Sequence, residues 1–330
     1  MTDYAMPSIP APILELRRLA VRFPAREGRI TAVADVTLTI ARGECIGIVG
    51  ESGAGKSQLL LAPFRLAASR AEVAGEALLA GEGLLALDAR ALDRLRGAHV
   101  GFVFQDPLST LTPHRTVGAH LVEVLEHHGR AHGATARTRA KSLLERVGID
   151  APERRLTQYP HELSGGQRQR VAIALALACE PGLMIADEPT TALDVTVQAG
   201  ILAMLGTLKR EGQLAIALVS HDFGVVGCLA DRLYVMYAGR IVEHGPTEAL
   251  TRSPAHPYTA ALLACIPRMD DPPDAPLEAI PGQPPDPRAL PTGCAFHPRC
   301  PRADAQCRTE VPALVPGGAR DVACHHPLRP

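Results

Sequence analysis

Short apolar runs recur along the first three quarters of this chain, and most of them stop at a small group of polar residues. The spans Leu14–Phe23, Ala32–Ile40 and Glu44–Val49 read as strands. Within the second, Val36-Thr37-Leu38-Thr39-Ile40 alternates apolar and polar, as a half-exposed strand does. Val100–Phe104, Leu183–Ala186 and Leu214–Val219 are continuous apolar runs and read as buried strands. Arg232–Tyr237 and Arg240–Val242 flank the turn signal Ala238-Gly239 and predict a hairpin. Ala71–Ala98 is mixed. From Val117 to Val147 apolar residues recur at helical spacing (Val117, Leu121, Val124, Leu125, then Leu143, Leu144, Val147), which predicts a helical insert closed by Pro152 and by Tyr159-Pro160. Helices are also expected from Lys56 through Ala62, over Arg168–Cys179 and over Val195–Lys209. Strand, loop and helix in repetition specify an α/β fold around a mostly parallel sheet.

The polar tips carry the candidate chemistry. Gly50-Glu51-Ser52-Gly53-Ala54-Gly55-Lys56-Ser57 fits G-x-x-x-x-G-K-S/T, the phosphate-binding loop of nucleoside triphosphatases, and sits between an apolar run and a helix-forming stretch as that loop must. Gly50, Gly53 and Gly55 let backbone N–H groups point inward, and the helix beginning at Lys56 aims its positive end at the same place. Lys56 adds a full charge for the outer phosphates, and Ser57 a hydroxyl for Mg2+. The run Val100–Phe104 ends in Gln105-Asp106-Pro107. Leu163-Ser164-Gly165-Gly166-Gln167 leads into a helix with Ser164 as N-cap, a second helix start suited to an anion. Leu183–Ala186 delivers Asp187-Glu188. Neighbouring strand side chains point to opposite faces, so both carboxylates can serve one site only if the backbone bends, which Pro189 favours. Asp187 is then assigned to Mg2+ and Glu188 to an attacking water. Thr191-Ala192-Leu193-Asp194 is a turn, and Ser220-His221-Asp222 is a further strand tip, the place where ligands sit in open parallel sheets. By position alone Phe23 reads as a core phenylalanine.

Composition narrows the class. The 330 residues carry 34 basic and 35 acidic side chains and a net charge of −1, so no basic footprint points to nucleic acid. No apolar run is long enough to cross a membrane and no signal-peptide pattern opens the chain, so a cytosolic protein is expected. Residues 1–12 read as a flexible lead-in. Cys45, Cys179, Cys228 and Cys265 are scattered singly, as small buried hydrophobes are. After Glu248 proline accumulates, only Tyr258–Cys265 reads as helix, and the chain ends in Cys294-x5-Cys300-x6-Cys307-x16-Cys324. Such a tail has little apolar area to bury and calls for a partner or a staple. A disulfide framework does not suit a reducing cytosol, which leaves a metal centre. Structural zinc favours closer cysteine pairs than these, whereas an iron–sulfur cluster needs four thiolates without that pairing. His297, His325 and His326 keep zinc open as the alternative.

With these motifs in this order, the chain resembles the nucleotide-binding subunit of an ABC transporter. The resemblance covers about residues 13–250, with a helical subdomain at about 106–180, and rests on Gly50–Ser57 (phosphate loop), Gln105 (Q-loop), Leu163–Gln167 (signature), Leu183–Asp187 with Glu188, Ala192-Leu193-Asp194 (D-loop) and His221 (H-loop). Residues 251–330 resemble the C-terminal extension of oligopeptide/dipeptide importer ATPases, through Ala255-His256-Pro257-Tyr258-Thr259, Ile280-Pro281-Gly282 and Gly293-Cys294-Ala295-Phe296-His297-Pro298-Arg299-Cys300-Pro301. Thr112-Pro113 departs from the asparagine often found before that proline, away from any catalytic position. The resemblance implies a P-loop NTPase fold with an added antiparallel β subdomain, and hydrolysis of ATP with Mg2+. Phe23 would stack on adenine, Lys56 would hold phosphates, and Ser57, Gln105 and Asp187 would organise Mg2+. Glu188 would be the base, and His221 would contact the γ-phosphate. Ser164, Gly165, Gly166 and Gln167, with Asp194, would complete the site of a second cassette, usually a paralogue in a heterodimer. The implied assembly adds two membrane-spanning permease subunits and an extracytoplasmic substrate-binding protein, at the cytoplasmic face of the cell membrane. Cys294, Cys300, Cys307 and Cys324 would hold a 4Fe-4S cluster, and the cargo would be a peptide, with nickel or another small solute as the alternative. A cassette acting on nucleic acid is disfavoured by the single cassette and neutral charge. A non-catalytic cassette is disfavoured by the presence of Lys56, Asp187, Glu188 and His221.

Overall fold

The computed structural model describes residues 12–25, 28–68, 70–191, 193–212, 214–266, 279–317 and 320–328. The lead-in before residue 12, Ala192 of the D-loop and part of the Pro-rich tail lie outside the described residues.

The chain opens with β1 (Leu14–Pro24), β2 (Arg29–Ile40) and β3 (Cys45–Val49), then α1 (Lys56–Leu61), β4 (Glu72–Leu79), β5 (Glu82–Gly83), α2 (Ala89–Leu95) and β6 (Val100–Val103). A helical stretch follows: α3 (Pro107–Thr110), α4 (Val117–His127), α5 (Gly133–Arg146), α6 (Pro152–Leu156) and α7 (Gly165–Leu177). Next come β7 (Leu183–Asp187), α8 (Val195–Gly212), β8 (Ala215–Ser220), α9 (Phe223–Gly227), β9 (Arg232–Tyr237) and β10 (Arg240–Pro246). The tail supplies α10 (Thr247–Arg252), α11 (Pro257–Ala264), α12 (Ala305–Thr309), β11 (Val315–Pro316) and β12 (Asp321–Val322).

Two sheets result. The antiparallel one runs β2-β1-β4-β5, and the larger runs β11-β12-β10-β9-β3-β8-β7-β6. Within the latter, β9, β3, β8, β7 and β6 are mutually parallel. Parallel strands are covered on both faces, which explains their unbroken apolar runs. Alternation divides them. Ile46, Ile48, Ile185, Ala217 and Val219 pack with the antiparallel sheet and α1, whereas Cys45, Val49, Met184, Ala186, Ile216 and Leu218 pack with the helices. Register aligns the C-terminal ends: Val49 pairs with Ser220, Asp187 with Val219, and Val103 with Ala186. The polar tips that follow these strands therefore emerge side by side at one edge.

Four expectations need correction. The helical pattern from Val117 to Val147 is two helices, because Gly129 turns left-handed (φ 62°) and stops α4. Pro152 does not close the insert but opens α6, at a helix start where the missing N–H costs nothing. Cys228 is exposed and Cys265 half-buried, unlike Cys45 and Cys179, which are buried. The tail is more than a loose appendix: β12 pairs antiparallel with β10 and so extends the main sheet, and Tyr258 and Phe296 sit in the main core at 0% and 2% exposure. A Pro-rich composition hides this because two aromatic anchors and a two-residue strand leave no periodic signal.

Candidate functional site

The phosphate loop leaves β3 and enters α1 in a conformation that only glycine allows at its two ends. Gly50 has φ 154° and Gly55 φ 98°; a Cβ on either would lie 2.2 Å from the Met236 carbonyl or 2.1 Å from the Ala32 carbonyl. The loop is thus pressed against β2 and the β9–β10 turn, and the Gly239 N–H donates to the Ala54 carbonyl at 3.0 Å. Ser52 and Gly53 face solvent. Lys56 is 5% exposed, and its ammonium donates to the carbonyls of Gly50 (2.8 Å) and Glu51 (3.0 Å). Burial pulls its pKa down, against the pull of the Glu188, Asp187 and Glu51 carboxylates. A desolvated cation at the start of a helix, behind a glycine-rich loop, suits a multiply charged anion.

Opposite stands the tip of β7. The Ser57 hydroxyl donates to Asp187 Oδ1 at 2.8 Å. Asp187 is buried, which raises its pKa, while the Ser57 hydrogen bond lowers it. These two adjacent hard oxygens fit a Mg2+ ligand set. Glu188 adopts φ +48°, the left-handed region that a residue with a side chain enters at a cost. Its N–H donates to the Val219 carbonyl at 2.9 Å, and the Thr191 N–H closes a turn on its carbonyl at 3.2 Å. This is the bend that two adjacent carboxylates require. The Glu188 carboxylate, half-buried, accepts from Gln105 Nε2 (3.1 Å) and the Thr191 hydroxyl (2.9 Å), and His221 Nδ1 lies 3.3 Å away. Lys56, Ser57, Gln105, Asp187, Glu188 and His221 are thereby brought together. Gln105 meets Glu188 rather than the Ser57–Asp187 pair.

The other expected residues lie apart. Ser164 caps α7: its hydroxyl accepts the Gln167 N–H (3.3 Å), and Gln167 Oε1 accepts the Ser164 N–H (3.0 Å). This capping box leaves the Gly165 and Gly166 N–H groups without helical partners. Gly166 packs under Val197, and the Asp194 carboxylate accepts the Val197 N–H at 2.9 Å. Among the described residues, no hydrogen bond joins the Leu163–Gln167 segment to the phosphate loop. Phe23 lies on β1, half-buried, opposite Ile30 and at the margin of the core between the sheets.

Comparison with known proteins decides the family. Residues 33–191 match the ABC transporter family, and residues 242–307 match the family described as oligopeptide/dipeptide transporter, C-terminal region. The chain is 45% identical over 318 residues to the oligopeptide transport ATP-binding protein OppD of Salmonella typhimurium, covering 96% of this chain and 94% of the relative. It belongs to the ABC transporter ATP-binding family. A putative peptide import ATP-binding protein of Brucella abortus is 47% identical over 315 residues, 95% of each chain. The fold is that of solved ABC cassettes: the dimeric ATP-binding cassette MJ0796, in a post-hydrolysis state bound to ADP and Pi, superposes with a TM-score of 0.64 at 31% identity, over 71% of this chain and 98% of that one. The protein is thus an ABC ATPase. No helix among its described residues is long and apolar enough to cross a membrane.

In this ATPase the four tail cysteines converge. Cys294, Cys300, Cys307 and Cys324 line one small cavity together with His256, Phe296, His297, His325 and His326. Burial raises the thiol pKa of Cys294 and Cys307 and pushes Cys324 up to about 11, with neighbouring cysteines adding to each. The thiols of Cys294, Cys307 and Cys324 are therefore neutral until a cation ionises them, and the four-cysteine donor set fits a group held by thiolates. Among the described residues the close-set triad of potential ligand atoms, all within 4.8 Å of one another, is Asp304, Cys307 and His326, not three of the cysteines.

Three residues that touch the nucleotide site escaped the sequence reading. Thr191, which holds Glu188, sits three positions after it, a spacing that a turn makes interpretable. Tyr258 and Arg299 reach the phosphate loop from the tail, and no local signal links them to it.

Proposed function

We propose that this ABC ATPase powers peptide import, as a peripheral subunit on the cytoplasmic face of the membrane. It works with a second, paralogous cassette, two permease subunits and an extracytoplasmic binding protein. The observation that carries the reading is the meeting of Lys56, Ser57, Asp187, Glu188, Gln105 and His221 at one sheet edge, in a chain whose relatives bear the name of oligopeptide transport proteins along almost their whole length. Lys56 and the loop amides bind the β- and γ-phosphates of ATP. Ser57 and Asp187 would hold Mg2+, with Gln105 turning to it from Glu188, and the ion would offset charge on the phosphates. Glu188 orients water and takes its proton, steadied by Thr191 and Gln105, and His221 contacts the γ-phosphate. Phe23 stacks on adenine. Ser164, Gly165, Gly166 and Gln167, with Asp194, face the nucleotide of the opposite cassette, which is why that segment is built as a free helix start with no lysine. The test is reconstitution of the complex in vesicles: peptide-loaded binding protein should stimulate ATP hydrolysis and peptide uptake together. Stimulation by another solute class and not by peptides would overturn the cargo assignment.

For the tail we propose a 4Fe-4S cluster bound by Cys294, Cys300, Cys307 and Cys324. It staples a Pro-rich segment to the core rather than carrying electrons. The shared cavity of four thiols supports it. The Asp304, Cys307 and His326 triad favours a second reading, zinc. Anaerobic purification with iron, acid-labile sulfide and zinc assays separates them: stoichiometric zinc without sulfide ends the cluster reading.

A further inference from the structure

The second residue of the phosphate loop is held by the tail. Arg299 stands one position before Cys300 and is 7% exposed. Its guanidinium grips the Glu51 carboxylate with both terminal nitrogens, Nη1 to Oε2 at 2.6 Å and Nη2 to Oε1 at 2.9 Å. Nε donates to the Pro281 carbonyl at 2.9 Å, and Nη1 also reaches the Tyr237 hydroxyl at 3.3 Å. The Tyr258 hydroxyl accepts the backbone N–H of the same Glu51 at 2.9 Å. Tyr237, Tyr258 and Phe296 pack on one another at centroid distances of 4.6 to 5.3 Å, and Arg299 lies 5.9 Å from the Tyr237 ring centre and 6.0 Å from that of Phe296. A bidentate ion pair among packed rings is both strong and fixed in direction. The Glu51 carbonyl in turn accepts from Lys56 at 3.0 Å, so the gripped residue is in direct contact with the phosphate-binding lysine.

We propose that Arg299 and Tyr258 are positioning residues of the ATP site: Tyr258 holds the phosphate loop in shape through the Glu51 N–H, and Arg299 cancels the negative charge that Glu51 places beside the nucleotide. A loop carrying a carboxylate next to its lysine works against the phosphates it must bind unless a cation offsets it. Here the cation comes from a different part of the chain, 248 residues away. The extension is therefore part of the nucleotide site as well as an appendage to it. This rests on Gly50–Ser57 being the ATP phosphate site, which Lys56→Ala tests separately: parent-like ATP binding by that variant would defeat the site reading rather than this one.

The experiment is a titration of ATP and ADP into the full-length chain and its variants, with melting temperature and metal content measured alongside. Arg299→Gln should weaken ATP binding by about tenfold, the scale of one charge-assisted pair, and ADP binding by less, since ADP carries less charge. The difference should shrink in high salt. The double variant Glu51→Gln, Arg299→Gln removes both charges and should recover ATP affinity to within about threefold of the parent, which loss of packing alone would not do. Parent-like ATP affinity in Arg299→Gln overturns the proposal, as does a double variant as weak as the single one. If Arg299→Gln yields no folded protein, Tyr258→Phe decides: it frees only the Glu51 N–H and should cost ATP affinity about threefold, the lower end of a net hydrogen bond, and no loss overturns the proposal.

Discussion

Glu188 shows how much of the site depends on single residues. Its left-handed backbone turns a carboxylate that a regular strand would send to the opposite face toward Gln105, Thr191 and His221. With Glu188 as the base, Glu188→Gln should keep the hydrogen bond to Thr191 and retain ATP binding. Turnover should fall by at least about a hundredfold, the usual contribution of a general base. Single-turnover hydrolysis in the assembled complex checks this, and near-normal hydrolysis would remove Glu188 from that role. Asp187 and Glu188 were legible as a pair because they end a buried apolar run beside a phosphate loop. The dihedral that makes them cooperate was not, since it depends on the Val219 carbonyl of the neighbouring strand.

At the scale of elements, the joint between β10 and α11 explains how the tail attaches. Glu243 of β10 is fully buried, and its carboxylate accepts the N–H groups of Ala255 and His256 at 2.7 and 2.9 Å. His256 then caps α11, its Nδ1 accepting the Tyr258 N–H at 3.0 Å, which requires that nitrogen to be unprotonated. Burial pushes the His256 pKa from 6.5 down to about 4. The unfolded chain therefore binds a proton over that interval that the folded chain does not, so this contribution to stability is complete above about pH 6.5 and is lost as pH falls toward about 4, by roughly 3 kcal/mol at the end. Urea unfolding at pH 7 and pH 5 should show the loss. His256→Asn, which keeps a capping oxygen, should flatten the pH slope, and an unchanged slope would move the effect to another group. The helical insert was readable as helix from its periodicity, but its break at Gly129 and its restart at Pro152 follow from backbone geometry that periodicity does not report.

At the scale of the whole molecule, the Leu163–Gln167 segment makes no hydrogen bond to its own chain's phosphate loop among the described residues, which fits a site completed by another cassette. Ser164→Arg should leave ATP binding by the altered chain near normal and stop hydrolysis in the opposite site. Complexes with one altered cassette would show it, and loss of ATP binding by the altered chain itself would contradict the shared site. Much of this architecture is local information. The phosphate loop, the strand tips and the capped signature helix each combine a short residue pattern with one backbone conformation, so they could be read directly from the chain, and their order identified the family. What only the tertiary structure decided are contacts between segments far apart in sequence: Arg299 on Glu51, Tyr258 on the loop backbone, β12 on β10, and four cysteines around one cavity. Local propensity and periodicity record what a residue does to its own turn of helix or strand, while these pairings depend on where packing of the core brings distant segments to rest.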